Sequence, residues 1–292
     1  MSSQPQARVC RLQAARMATS LAAGASLEIG ALDFEEYPAA RALLTPAARI
    51  YVSFLPGQDW RRTFQICEQI ASDGFDPVPH IPVRLLTDSG HLDRVLGSAR
   101  AAGVREPLLI SGDYAEARGP FSTVLQVLQT GCLQAQGFQR LSLAGHPEEH
   151  PRVPWDVICE AQVAKWRFAS NHGISVTFVT QFFFAVEPFV HWARFLRAAG
   201  VDARLVAGVA GPTGLGRLIK LSRHCGVGAS MRALTSRPAA ALRLFGEHAP
   251  DGLLAGLATE RLAQPNLFDG LHVFSLGGFG RTAGWLKSAR AG

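Results

Sequence analysis

A lone carboxylate sits inside the apolar run Ser26-Leu27-Glu28-Ile29, and a second follows a glycine in Ser111-Gly112-Asp113. A carboxyl group desolvated in a cleft has its pKa raised, so it can hold a proton near neutrality and act as a general acid. Glu28 is the candidate for that role. Asp113 follows a residue that lets backbone come close to a ligand, and its charge would tune an electron-poor ring lying against it. Gln181 is wedged between an apolar run and three rings in Thr180-Gln181-Phe182-Phe183-Phe184, and a buried amide must find partners. His80 lies between Pro79 and Pro82, and the stretch His146-Pro147-Glu148-Glu149-His150-Pro151 crowds four ionisable side chains together. That stretch has the composition of a metal site, but its spacing falls in a proline-punctuated loop instead of on a helix face, so no metal is expected. Each residue also has a plainer use: Asp113 as a turn or cap residue, His80 as a hydrogen-bonded structural histidine, Gln181 as a satisfied core amide.

What makes the set more than a scatter is where it falls. Short apolar, β-forming segments run over Ala25–Gly30, Arg49–Phe54, Pro77–Val83, Pro107–Gly112, Arg140–Gly145, Val176–Phe182, Ala203–Val209 and Leu271–Leu276. Most lack alternation, as expected of parallel strands buried on both faces. Helical segments separate them: Asp59–Ala71, His91–Ala102 (capped by Asp88 and stopped by Gly103), Ser122–Gln136, Trp155–Ser170, Val186–Ala199 and Thr213–His224. Arg237–Phe245 and Gly252–Leu262 fill the gap before the last strand, and Arg281–Ala291 closes the chain. Eight strands, each followed by helix, predict an α/β fold of the (β/α)₈ barrel type as a single domain over residues 1–292, with residues 1–22 as a leading helix. An open doubly wound sheet would want a GxGxxG after an early strand, and none is present. In a barrel, chemistry collects at the C-terminal ends of the strands. Glu28, Ser53, His80, Ser111 to Asp113, His146 to His150 and Gln181 all lie there.

Bulk properties narrow the class. The 292 residues are 48% hydrophobic and 18% charged, which suits a well-buried globular protein. No apolar run approaches the ~20 residues of a membrane helix. Five scattered cysteines without a CxxC pair fit reduced thiols in a cytoplasm. The net charge of +6 is spread along the chain without interleaved aromatic residues, which points away from nucleic acid and toward a small polyanionic ligand or simply a soluble surface. Arg8, Arg11 and Arg16 in an acid-free start have the look of a transit segment, but a surface helix leading into the fold is the expectation.

In order and spacing the motifs resemble the flavin-dependent methylenetetrahydrofolate reductases. That family has a Glu in the first strand, Pro-His on the third, Arg-Gly-Asp ending the fourth, Tyr-Pro-Glu-x-His-Pro after the fifth and Thr-Gln-Phe-Phe-Phe on the sixth. Here the matching residues are Glu28, Pro79-His80, Ser111-Gly112-Asp113, His146 to Pro151 and Thr180 to Phe184, and agreement runs from about residue 25 to residue 280. The resemblance implies a barrel that holds FAD, with NAD(P)H as co-substrate, and hydride transfer to 5,10-methylenetetrahydrofolate to give 5-methyltetrahydrofolate. It implies that Glu28 protonates the folate, that Asp113 lies by flavin and pterin, and that Gln181 hydrogen-bonds the pterin. The flavin would contact Ser53, His80, Ser111, Gly112, Phe121, Ser122, Gly145, His146 and His150, with Lys165 or Arg167 meeting its diphosphate.

The chain departs from the family pattern at defined points. The usual Glu-Phe-Phe-Pro-Pro is Glu28-Ile29-Gly30-Ala31-Leu32, the Arg before Gly-Asp is Ser111, and the tyrosine before Pro-Glu is His146. A substrate-contacting Gln aligns with Arg217, a stacking Phe with Leu221, and the terminal Asn-Arg with Gly277-Gly278, where Arg281 stands in for the lost charge. Residues of the core chemistry remain, while those that grip nicotinamide or the folate tail differ. Two other functions fit the same motifs: a 5-methyltetrahydrofolate oxidase in a demethylation pathway, and a flavin-less folate-binding regulatory barrel. The expected partner is a reduced folate, with no nucleic acid and no membrane, and the protein is expected to be a cytoplasmic homo-oligomer.

Overall fold

The computed structural model describes residues 3–55, 57–112, 114–148, 153–214, 216–218 and 247–291. Helix α1 (Ser3–Ala23) leads into strand β1 (Ser26–Ile29), followed by β2 (Arg49–Val52), β3 (Asp76–Pro82), β4 (Leu108–Ile110), β5 (Arg140–Gly145), β6 (Ser175–Phe182), β7 (Arg204–Ala210) and β8 (Gly270–Phe274). The strands close into a parallel barrel in the order β1-β8-β7-β6-β5-β4-β3-β2. The predicted (β/α)₈ barrel is therefore the observed one. All eight predicted strands exist, and β5 coincides residue for residue with its prediction.

Around the barrel run α2 (Tyr37–Ala40), α3 (Trp60–Ser72), α4 (Ser89–Ala101), α5 (Val124–Gln129), α6 (Cys132–Ala135), α7 (Trp155–Asn171), α8 (Val186–Ala198), α9 (Asp251–Ala263) and α10 (Phe279–Ala291). Local chemistry sets their ends. Asp59 and Asp88 cap α3 and α4 by accepting from the backbone N–H of Arg61 and His91, and Thr123 with Gln126 forms a capping box on α5. The single helix predicted over Ser122–Gln136 is two, because Gly131 adopts φ 72° and ends the first. The predicted Thr213–His224 helix is also revised where it can be seen. Thr213–Gly214 pairs antiparallel with Glu247–His248, only 216–218 is helical, and the remainder lies outside the described residues, as does Arg237–Phe245. Between β1 and β2, where the sequence reading assigns no helix, Phe34–Leu43 makes short 3₁₀ and α turns.

Alternation along each strand separates two cores. Leu27, Ile29, Ile50, Val52, Ile81, Leu109, Leu141, Leu143, Phe178 and Val273 face the helices in the main core. Tyr51, Val78, Leu108, Val179 and Val206 fill the barrel itself, with Ile110 against them. β3 tolerates three prolines because alternate residues of a parallel strand bond to opposite neighbours. It pairs with β2 over Asp76–Pro79 and with β4 only from His80 onward.

Candidate active site

The four residues of β1 already dictate the direction of Glu28. Leu27 and Ile29 face the helices and are almost fully buried, so Ser26 and Glu28 must face the barrel interior. Two imidazoles meet the carboxyl there. His80 of β3 brings Nε2 to 3.4 Å from Glu28 Oε2, and His272 of β8 brings Nε2 to 4.0 Å. Burial, then the nearby charge of Asp33, pushes the Glu28 carboxyl up to about 8. Burial pulls His80 down to about 4; burial and then His80 pull His272 down to about 3. At neutral pH the three are thus a carboxylic acid and two neutral imidazoles, and their close approach is not an ion pair. His272 Nδ1 is 2.9 Å from Ser26 Oγ, whose hydroxyl also reaches Leu271 O at 3.4 Å. With that hydroxyl on Leu271, His272 donates through Nδ1 and turns a bare Nε2 toward the acid. The buried His80 Nε2 has no hydrogen-bond partner among the described residues.

Opposite Glu28 across the mouth, β6 carries the amide. Pairing of β6 with β7 steps from Val179↔Val206 to Phe182↔Gly208, so β6 holds one extra residue at a β-bulge. Thr180 Oγ1 accepts from Gly208 N–H at 2.8 Å and anchors the bulge. Gly208 is required, because a Cβ there would lie 2.2 Å from Thr180 O. The bulge turns Phe182 onto Phe274 (centroids 5.6 Å) and Phe184 (5.8 Å), with Ala210 and Leu218 in the same cluster. Phe183 instead stacks on Phe189 in the main core. Gln181 is half-buried and makes no side-chain hydrogen bond to the described residues. An amide beside an aromatic wall, with its donors and acceptor unspent, can receive a planar polar ring.

The other predicted residues fall into three groups. Ser53 closes the end of β1, its N–H and Oγ both reaching Ile29 O. Gly112 holds φ 86° against the Tyr114 ring and Pro82, and the Ser111 and Ser122 carbonyls accept from Arg84, which ties the loop after β4 to the end of β3. His146 is half-buried at the end of β5. Arg217 faces Asp33, whose carboxyl is raised by burial and then by Glu36, and lowered by the Arg217 charge. A second group is either packed into the core or left on the surface. The Phe121 ring is 4% exposed in the main core, and a Cβ on Gly145 would strike Trp192 at 2.8 Å. Arg167 and Arg281 are exposed on α7 and α10. Asp113, His150 and Leu221 form the third group and lie outside the described residues.

Lys165 on α7 is different. Its ammonium is drawn down to about 8 by burial, and no anion among the described residues pairs with it. A partly buried cation without a counter-ion is what a bound diphosphate would satisfy. Lys165 is thus a residue that could hold the diphosphate of a cofactor such as FAD.

Sequence reasoning missed Asp33, Tyr51, Ser142 and His272. A period-two count along Leu271-His272-Val273-Phe274 would have sent His272 inward with Phe274. Nothing local marks Tyr51, whose partners are remote in sequence.

The structure is a closed α/β barrel with a neutral acid near its C-terminal mouth and, on β6, an amide without a hydrogen-bond partner among the described residues. The sequence supplies the rest. A methylenetetrahydrofolate reductase family model matches residues 55–234, more than half of the chain. The chain belongs to the methylenetetrahydrofolate reductase family. It is 25% identical over 126 residues to methylenetetrahydrofolate reductase 2 of Saccharomyces cerevisiae, a match over 40% of this chain and 20% of that protein, so it spans about a fifth of the relative's length. Its fold is similar to that of an uncharacterized protein from Clostridium thermocellum that binds two copies of 5-methyl-5,6,7,8-tetrahydrofolic acid. That likeness has a TM-score of 0.60 at 10% identity and covers 92% of this chain and 95% of the other. Dihydropteroate synthase from Thermus thermophilus aligns with a TM-score of 0.47 at 15% identity, over 91% and 94%. Among the described residues no helix is long and apolar enough to cross a membrane.

Proposed function

We propose that this barrel interconverts 5,10-methylenetetrahydrofolate and 5-methyltetrahydrofolate, with FAD as the hydride carrier and NAD(P)H as the reductant. The observation that carries the proposal is the Glu28 carboxyl, held protonated between two neutral histidines at the mouth of a barrel of this family.

A methylene bridge between two nitrogens opens when one of them is protonated, and a neutral carboxylic acid is the group for that task at pH 7. Glu28 donates the proton in the reductive direction and takes it back in the other. Its two imidazoles, each resistant to protonation, do not compete for it. Gln181 presents its amide to the edge of the pterin, and Phe182, Phe184 and Phe274 supply an apolar wall that excludes water. FAD, when bound, supplies the site from which hydride leaves and to which it returns. Ser53, His80, the Ser111-Gly112 turn, Ser122, His146 and Lys165 would hold it. Residues 1–292 would act as one barrel domain, in a homo-oligomer.

The test is anaerobic addition of 5-methyltetrahydrofolate, and separately NADH, to FAD-loaded protein. Loss of the oxidised flavin band at roughly 450 nm is expected with both. Bleaching by the folate alone would replace NAD(P)H by another electron partner, giving the oxidase reading. A protein that takes up no FAD and binds the folate unchanged would be the flavin-less barrel instead.

A further inference from the structure

Beneath the acid, the barrel interior contains a side chain that the proposed chemistry does not use. Tyr51 stands beside Glu28 in the β1–β2 register and is 1% exposed. Its hydroxyl donates to Ser142 Oγ at 2.9 Å, Ser142 donates to Glu106 Oε1 at 2.7 Å, and Glu106 is clamped by Arg49 at 3.2 Å. Glu106 precedes β4 and Arg49 opens β2, so the hydroxyl points to the N-terminal end of the barrel, away from the mouth. The ring is left edge-on to both histidines, with centroids 4.7 Å from His272 and 6.3 Å from His80.

We propose that Tyr51 is a positioning residue: its ring is the floor of the acid's pocket, excluding water from below Glu28 and fixing both imidazoles, with the Ser142–Glu106–Arg49 chain as its anchor. The groups facing Glu28 are His80 from β3, His272 from β8, Tyr51 from β2 and, from its own loop, Asp33 with Arg217 beyond it. The upper interior positions of β4 to β7, Ile110, Ala144, Gln181 and Gly208, carry no titratable group. Removing the ring would leave a cavity walled by Glu28, His80, His272 and Ser142, polar enough to fill with water.

The inference rests on the reading of Glu28 as the acid, but its test does not need turnover. Unfolding is followed against pH for each Tyr51 variant with and without Glu28→Gln, and the difference within each pair isolates the Glu28 proton. Tyr51→Phe, which keeps the ring, should retain the wild-type difference. Tyr51→Ala should flood the pocket, and Tyr51→Gln should place an amide under the acid. Both should move the apparent Glu28 titration down by about one unit or more, a tenfold change in proton affinity. If Tyr51→Ala does not fold, Tyr51→Gln decides. A wild-type difference in either folded variant would overturn the proposal. Should the stability difference move while the pH profile of folate turnover stays put, the floor stands and Glu28 is not the acid.

Discussion

Glu28 makes this protein sensitive to alkali in a way that can be measured. The unfolded chain loses that proton near 4.5, whereas the folded chain holds it to about 8. Between those values the unfolded state binds fewer protons, so stability falls as pH rises, by about 1.4 kcal/mol per unit at most. The histidines act in the opposite sense. Unfolded, they protonate near 6.5; folded, His80 and His272 resist to about 4 and 3, so their contribution is lost as pH falls below 6.5. The three together place their stability maximum near 6.5, and Glu28→Gln should remove the alkaline limb and steepen the acid one. Thermal unfolding of that variant should exceed wild type by an amount that grows from pH 5 to pH 8; equal curves would mean the carboxyl is not protonated in the fold. Gln181 gives a second expectation. Its amide has no partner among the described residues, so Gln181→Ala should leave unfolding unchanged while weakening 5-methyltetrahydrofolate roughly tenfold, the worth of one hydrogen bond of about 1.4 kcal/mol. Calorimetric titration and a melting curve read both; a lower melting temperature with intact affinity would make the amide structural. These two residues were legible in the sequence because each is polar within an apolar strand. Tyr51 and Asp33 were not, since their meaning lies in contacts with β3, β5, β8 and the loop after β7.

At the scale of elements, the bulge in β6 decides which phenylalanine lines the mouth. One residue of slip reverses a strand's faces, and here it sends Phe182 inward and leaves Phe183 to the main core. Holding it requires the bare backbone at Gly208. Gly208→Ala should therefore destabilise by about 1–3 kcal/mol, the usual cost of overpacking, and also weaken folate binding. Gly214→Ala, whose Cβ would meet nothing within 4 Å, is the control and should shift the denaturant midpoint little. Equal midpoints for the two variants would mean that the bulge relaxes freely. Strand positions were legible because buried parallel strands are short apolar runs. The bulge was not, because it is a relation between β6 and β7 that neither strand displays alone. The division of the predicted Ser122–Gln136 helix had a visible signal in Gly131, outweighed by the periodicity on either side of it.

For the whole molecule, the barrel brings residues 28, 80, 181 and 272 to one mouth, which no linear motif does. The eightfold alternation of strand and helix was enough to anticipate the closed sheet; the short pairing of Thr213–Gly214 with Glu247–His248 was not, since two-residue strands leave no periodicity. The central claim is that this mouth delivers a proton from Glu28 to a reduced folate while flavin exchanges hydride with it. It is tested most directly by mixing reduced, FAD-loaded wild type and Glu28→Gln with 5,10-methylenetetrahydrofolate under anaerobic conditions and following flavin reoxidation. The account predicts rapid reoxidation with formation of 5-methyltetrahydrofolate in the wild type, and a rate lower by roughly 10²-fold or more in Glu28→Gln, the typical worth of a general acid. Reoxidation of both proteins at the same rate would contradict it.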